Sequence, residues 1–262
     1  MLDSSTGRVV GRVIGLWRYP VKSMGGEVLR EIDVTWHGFA GDRRWAFVRN
    51  DVVQSGFPWL TIRQRADMSH YLPSFVDPTR PNASPTVVRT PSGATLDVAD
   101  PALAAELCAD GARAIRHDLG IFDTFPLSLI TTQTIRRLGE LVDVELAVER
   151  FRPNILVDAA DGAPFCEDAW VGSTLRIGGV RVRVDKRDGR CVVITIDPVT
   201  SERNPAILRT VARDRQGCLG VYGSLVEPGR IALDDGVFVE DCARSENGLP
   251  TPPSAPLAPP PE

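Results

Sequence analysis

At 262 residues, with 43% hydrophobic and 24% charged positions, the chain is long enough for one large domain or two small ones. A net charge of -4 excludes the broad basic face of a general nucleic-acid binder, yet leaves room for a small anionic ligand held by a few placed cations. No run approaches the roughly 18 consecutive apolar residues of a membrane span. The opening MLDSSTGRVV has neither the apolar core of a signal peptide nor an Arg-rich leader pattern, so a cytoplasmic protein is expected.

In chain order the body reads as mostly β. GRVIGLWRYPVKS carries alternating Val13, Gly15, Trp17 and Tyr19, and VLREIDVTW, RRWAFVRN and PWLTIRQ come next as further strands. TVVRT and ATLDV are joined by the turn-type tripeptide PSG. DPALAAELCADGARAI predicts a helix with Asp100 as N-cap and Pro101 at its first position, ending at Gly111 or later. TTQTIRRLGELV, about residues 131 to 142, places Ile135, Leu138, Leu141 and Val142 on one helical face. TLRIGGVRVRVDKR predicts a hairpin turning at Gly178-Gly179, with Arg alternating against Val. CVVITID and CLGVYGSLVE are predicted strands, separated by a third helix, NPAILRTVARDR, that repeats the cap signature with Asn204 and Pro205. The tail from Ala243 holds seven of the 21 prolines and almost no apolar bulk, so it is expected to be disordered. Strands do not alternate regularly with helices, which argues against a doubly wound parallel sheet. The expectation is a strand-dominated α+β fold, a mixed barrel with few helices.

The common catalytic kits are missing. The three histidines, His37, His70 and His117, show no i, i+4 pairing, and there is no G-x-S-x-G, Walker A or G-x-G-x-x-G after a strand. The five cysteines, Cys108, Cys166, Cys191, Cys218 and Cys242, are odd in number and widely spaced, unlike a disulfide framework, a zinc site or an iron–sulfur site. What remains is a set of cations beside turns: Lys22 with Ser23 in YPVKSMGG, Asp42-Arg43-Arg44 in GFAGDRRW, Arg152 and Asn154 in ERFRPN, and Arg190 in DGRC. Singly, each charge reads as a solvated side chain; together they flank strand ends, where barrel mouths collect ligands. Cys191 comes after Lys186, Arg187 and Arg190, neighbours expected to favour its thiolate. It could also be a small core residue opening a buried strand. A nucleophilic Cys usually needs a base within reach, so metal ligation is the more economical use of a lone thiolate.

LWRYPVKS, GDRRWAFV, TIRQ, DTFPLSL, RFRPNILVD, EDAWVGSTLRIGG, RCVVITIDPVT and YGSLVEPGRIALDDG occur in the order seen in the MOSC family. The chain resembles the longer form of that family, typified by the mitochondrial amidoxime reducing component and its bacterial relatives. The resemblance implies a MOSC-like barrel, with an N-terminal β/α barrel segment over 1–118, a MOSC domain over 119–242 and the Pro-rich tail over 243–262. It also implies a molybdenum–molybdopterin cofactor with Cys191 as the protein's single metal ligand and catalytic residue. The family's pterin- and phosphate-holding positions match Lys22, Ser23, Arg43, Thr124, Arg152, Asn154, Arg190 and Tyr222. The implied activity is reduction of N-hydroxylated small molecules, N–OH to N–H. The iron–sulfur domain fused to some bacterial members has no counterpart here, so electrons are expected from a separate protein. The alternative is a carrier or maturation protein that handles the cofactor or its sulfur without reductase turnover. Two departures, Ala66 where relatives carry proline and ALDDG where I-x-x-G-D is usual, leave the implied ligand set intact.

Overall fold

The computed structural model describes residues 7–52 and 56–240; the predicted tail, 243–262, and Cys242 lie outside them. Seven strands close into a barrel. Around its wall run Arg8–Arg18, Ile155–Ala159, Leu127–Thr131, Cys218–Glu227, Val180–Gly189, Thr174–Ile177 and Gly236–Glu240, which pairs back onto Arg8–Arg18. Leu127–Thr131 and Ile155–Ala159 are parallel, and the other barrel pairs are antiparallel. A parallel pair needs a crossover, and the helix Thr132–Val142 lies on the connection between them. The predicted hairpin is present with Ile177 opposite Val180 and Arg176 opposite Arg181. Val180, Val182 and Val184 point into the barrel while Arg181 and Arg183 face out, the period-2 pattern of a half-buried strand. Gly178 sits at φ 54, and a Cβ there would lie 2.2 Å from an Asp235 carboxylate oxygen, so the turn needs glycine.

Among the described residues three helices flank the strands: α1 (Pro101–Leu107), α2 (Thr132–Val142) and α3 (Pro205–Arg215). Asp100 caps α1 and Asn204 caps α3, each through its carboxylate or amide oxygen on the second N–H, with proline at the first position. Ile135 and Leu138 of α2 pack with Ile207 and Val211 of α3, over Tyr19, Phe151 and Ile194. A third apolar cluster, around Val21, Phe47, Met68 and Leu103, belongs to the N-terminal half. That half also supplies the barrel strand Arg8–Arg18, and its strand Glu31–Thr35 pairs with Gly229–Ala232 in a separate small sheet. Among the described residues no helix is long and apolar enough to cross a membrane.

Three expectations are corrected. Helix α1 stops at Leu107, and Ala112–Arg116 is a strand paired with Trp45–Arg49. Cys108 is already extended, its amide closing the last turn on the Ala104 carbonyl, and a cross-strand partner far upstream makes the segment after Gly111 a strand. CVVITID is not a strand either: Val192–Thr195 is a 3-10 turn, closed by the Ile194 and Ile196 amides donating to the carbonyls of Cys191 and Val193. Its β-branched run buries Ile194 and Ile196, with Ile194 packed against the helices, so packing overrides the local propensity. In PWLTIRQ only Trp59–Leu60 pairs, because Thr61 to Arg65 form a tight turn on the Thr61 carbonyl.

A buried acid from the 3-10 turn Cys166–Trp170 meets the start of α2. Glu167 accepts from the hydroxyls of Thr131 (3.0 Å) and Thr134 (2.9 Å), while its other oxygen is buried without a partner. Burial raises its carboxyl above the ordinary 4.5. Between 4.5 and that raised value the native state holds more protons than the unfolded chain, so this group's contribution to stability falls as pH rises through the window. Urea midpoints of the parent are therefore expected to drop relative to those of Glu167→Gln as pH climbs above 4.5. Parallel pH profiles would contradict this.

Candidate functional site

One cavity of about 420 Å³ opens at the barrel end where the strands Leu127–Thr131, Val180–Gly189 and Cys218–Glu227 meet the N-terminal half. All nine positions that the resemblance matches to the family's cofactor site line it: Lys22, Ser23, Arg43, Thr124, Arg152, Asn154, Arg190, Cys191 and Tyr222; Asp42, Arg44, Lys186 and Arg187, also marked in the sequence, do not.

Backbone hydrogen bonds bring their segments together. YPVKS lies beside GDRRW: the Arg43 amide donates to the Tyr19 carbonyl (2.7 Å), Trp45 to Pro20 (3.1 Å), and Lys22 to Trp45 (2.8 Å). RFRPN is held to the first strand by the Trp17 amide on Asn154 (3.0 Å), and to the parallel strand by the Asn154 amide on Ser128 (2.9 Å). Ser23, Arg43 and Arg152 all adopt left-handed backbone, with φ of 69, 50 and 52. Each such non-glycine residue costs about 1–3 kcal/mol and persists where surrounding contacts over-determine it, as at ligand clamps.

The side chains form a buried charge cluster. The guanidinium groups of Arg43 and Arg152 both lie over the Tyr19 ring, 4.9 and 4.3 Å from its centre. Asp42, fully buried, pairs with Arg43 and accepts from the Tyr19 amide (2.7 Å) and the Asn154 side-chain amide (3.1 Å). Asn154 also donates to the Trp17 carbonyl, and its oxygen accepts from Ser128 and Arg43. Both ends of that amide are therefore committed to protein partners. Arg152 donates one nitrogen to the Met24 carbonyl (2.6 Å), and its Nη2 is buried without a partner. Burial lowers the Arg152 guanidinium to about 10, whereas at Arg43 burial is outweighed by Asp42 and the proton is held more tightly. Lys22 is lowered by burial against the opposing pull of Asp123, its ion-pair partner.

The same lining carries the thiol. Arg190 is spent on structure: it donates to the carbonyls of Leu219 (2.7 Å) and Phe151 (2.9 Å) and lies 2.9 Å from buried Asp188. Burial raises the Asp188 carboxyl despite Arg190, and burial next to Asp188 raises the Tyr222 phenol. Arg187 pairs with Asp168 and the Arg215 carbonyl, and Lys186 sits over the Phe125 ring. The cation that touches Cys191 is none of its sequence neighbours. It is Arg63, whose Nη2 lies 3.2 Å from Sγ.

Arg63, Asp123, Ser128, Asp188, Arg150 and Phe57 also line the cavity and were not singled out from the sequence. TIRQ contains Arg63, but nothing local marks a turn arginine as the partner of a cysteine 128 residues away. Among the described lining residues, six cations (Lys22, Arg43, Arg63, Arg150, Arg152, Arg190) face two carboxylates (Asp123, Asp188); Asp42 and Asp197, outside the lining, pair with Arg43 and Arg150, so the excess positive charge rests on Arg63 and Arg152. Among the described residues no three His, Cys, Asp or Glu side chains converge as a metal site. An anionic organic group that brings a soft metal fits this donor set: excess positive charge, an unpartnered guanidinium nitrogen, and one sulfur.

Barrel and cleft together define a class, a closed mixed barrel whose end holds one thiol in a cationic pocket. The family models match accordingly: the MOSC N-terminal beta barrel domain over residues 10–104 and the MOSC domain over 116–238. The chain belongs to the MOSC family and carries its N-terminal barrel domain.

It is similar to a molybdenum cofactor sulfurase of Drosophila grimshawi, 35% identical over 41% of this chain and 14% of that protein. It is also similar to the sulfurase of Caenorhabditis elegans, 24% identical over 80% of this chain and 33% of the relative. Human mitochondrial amidoxime-reducing component 1 is 28% identical over 47% of this chain and 40% of that protein. The matches thus span less than half the length of these relatives. Among solved structures, the YUAD protein of Bacillus subtilis shares the fold, with a TM-score of 0.51 at 14% identity over 88% of this chain and 96% of that one.

Proposed function

We propose that the chain binds a molybdenum–molybdopterin cofactor and acts as an oxidoreductase on N-hydroxylated small molecules, with electrons from a separate protein. The observation that carries this reading is Cys191 opening onto a cleft with six cations, two carboxylates and an unpartnered Arg152 nitrogen. In this reading Cys191 is the metal's protein ligand, and Lys22, Ser23, Arg43, Arg152, Thr124 and Tyr222 hold the pterin and its phosphate. When bound, the cofactor supplies two-electron chemistry, converting N–OH and two protons to N–H and water. Asn154 and Asp42 act behind that set: their hydrogen bonds fix Arg43 and keep its charge in the cavity. The buried Tyr19 ring offers its face to both guanidinium groups. Arg190, tied to two carbonyls and Asp188, fixes the backbone that presents Cys191. Four free cysteines among the described residues fit a reducing compartment, in keeping with a cytoplasmic protein.

The sulfurase relatives favour a second reading, a cofactor or sulfur carrier. Metal analysis and pterin release on protein from a cofactor-competent host, combined with turnover on an N-hydroxylated substrate and a chemical reductant, separate the two. Repeated turnover supports the reductase, while bound cofactor with no turnover supports the carrier. Neither metal nor pterin would refute both.

Arg152→Gln removes the charge beside the unpartnered position. Loss of a charge-assisted contact of about 1.5–3 kcal/mol corresponds to roughly 10–100-fold weaker retention of an anionic group. Pterin released per protein chain after dialysis measures it, and parent-like retention would remove Arg152 from the binding set.

A further inference from the structure

The contact between Arg63 and Cys191 assigns a role to a residue from the other half of the chain. Arg63 sits in the Thr61–Arg65 turn. That turn is pinned by the Gln64 and Arg65 amides on the Thr61 carbonyl (3.0 and 3.1 Å), and by the Arg203 guanidinium on the Arg63 carbonyl (3.1 Å). Its guanidinium lies over the Phe57 ring, 5.0 Å from the centre, with Nη2 3.2 Å from the Cys191 sulfur. Arg and Lys residues adjacent to Cys191 in the sequence turn to other partners. The ring beneath the planar guanidinium and the sulfur at its edge together set the direction in which it donates. Lysine, a point charge on a flexible stem, would not reproduce that geometry.

We propose that Arg63 is the positioning residue of Cys191: its N–H···S hydrogen bond aims the sulfur into the cavity and places a positive charge against it. The N-terminal half thereby contributes directly to the thiol site. For what the sulfur then binds, this inference rests on the cofactor reading. Hydrogen bonds from outside a metal's own ligand set orient the ligand and tune the metal, and losing one typically costs about 10–100-fold in affinity or activity.

The test compares parent, Arg63→Gln, Arg63→Lys and the charge-matched control Lys186→Gln as full chains. In cofactor-free protein, Cys191 is alkylated with anionic iodoacetate and with neutral iodoacetamide, and the modified peptide is quantified. A unit charge a few ångströms away in water changes the rate of an anionic reagent by about fivefold. The iodoacetate-to-iodoacetamide ratio at Cys191 is therefore expected to fall about fivefold in Arg63→Gln. It should move less than about twofold in Lys186→Gln and stay unchanged at Cys108 and Cys218. Arg63→Lys is expected to restore most of the ratio. In cofactor-loaded protein, Arg63→Gln should keep its metal but shift the sulfur-to-metal absorption band, which Lys does not restore. An unchanged ratio in Arg63→Gln, or a fall of equal size in Lys186→Gln, overturns the assignment. A parent protein that carries no metal or pterin overturns the cofactor reading instead, and the alkylation ratio still decides whether Arg63 governs the sulfur.

Discussion

Cys191→Ala, purified from a molybdate-fed, cofactor-competent host, is expected to fold as the parent does and to lose reduction of N-hydroxylated substrates by more than about a hundredfold. The floor comes from scale: disturbing only the groups that support a metal ligand costs about 10–100-fold, so removing the ligand costs more. The fold survives because the side chain is half-buried at the start of a 3-10 turn and makes no capping hydrogen bond there. Its neighbour in space is Arg63, which can turn toward solvent once the sulfur is gone. Cys191→Ser sharpens the result, since a hydroxyl keeps the size but not the softness that molybdenum favours. Reductant-driven turnover at the parent rate in either variant, with metal content unchanged, would remove Cys191 from the chemistry.

The second large effect is on stability and lies outside the cavity lining. Asp42→Ala leaves Arg43, whose side chain is only 15% exposed, without its counter-ion and strips acceptors from the Tyr19 amide and the Asn154 side chain. Breaking one partner of a buried pair costs about 3–5 kcal/mol, because an uncompensated charge remains in a poorly solvated place. Asp42→Asn keeps one acceptor oxygen but loses the charge, so it should fall between parent and Ala. Urea unfolding reads this as a lower midpoint at constant slope. A loss below about 1 kcal/mol in Asp42→Ala would mean that Arg43 re-solvates easily and that the cluster is not rigid. That outcome would also weaken the view of Asn154 as a positioning group, since its hydrogen bonds run through the same carboxylate.

How far the site could be read from the chain depends on what each residue signals locally. Lys22, Ser23, Arg43, Arg152 and Asn154 sit in short strand-to-turn transitions, and such transitions announce themselves through Pro, Gly and clustered charge. Their convergence on one cavity comes from barrel closure, which no local pattern contains. Arg190 illustrates the limit. Its place beside Cys191 suggests a charge on the thiol, yet two distant carbonyls, of Leu219 and Phe151, and nearby Asp188 take up its guanidinium. Arg63 is the reverse case, an arginine in a turn that looks solvated until folding sets it against the sulfur. Asp42 likewise reads as one more charge in GDRRW, and only burial makes it the counter-ion on which the cluster depends.

The chain by itself determined the strand-rich class, the Val/Arg hairpin, and the Asp100 and Asn204 caps with the helix starts they mark. Each of those rests on period, capping or composition within about a dozen residues. Tertiary structure alone decided that VVIT coils into a 3-10 turn, that Ala112–Arg116 is a strand, and which cation meets Cys191. The reason is the same in all three. A strand needs a neighbouring edge, a coiled turn needs a core to bury it, and a charge needs a partner in space, and all of these lie far away along the chain.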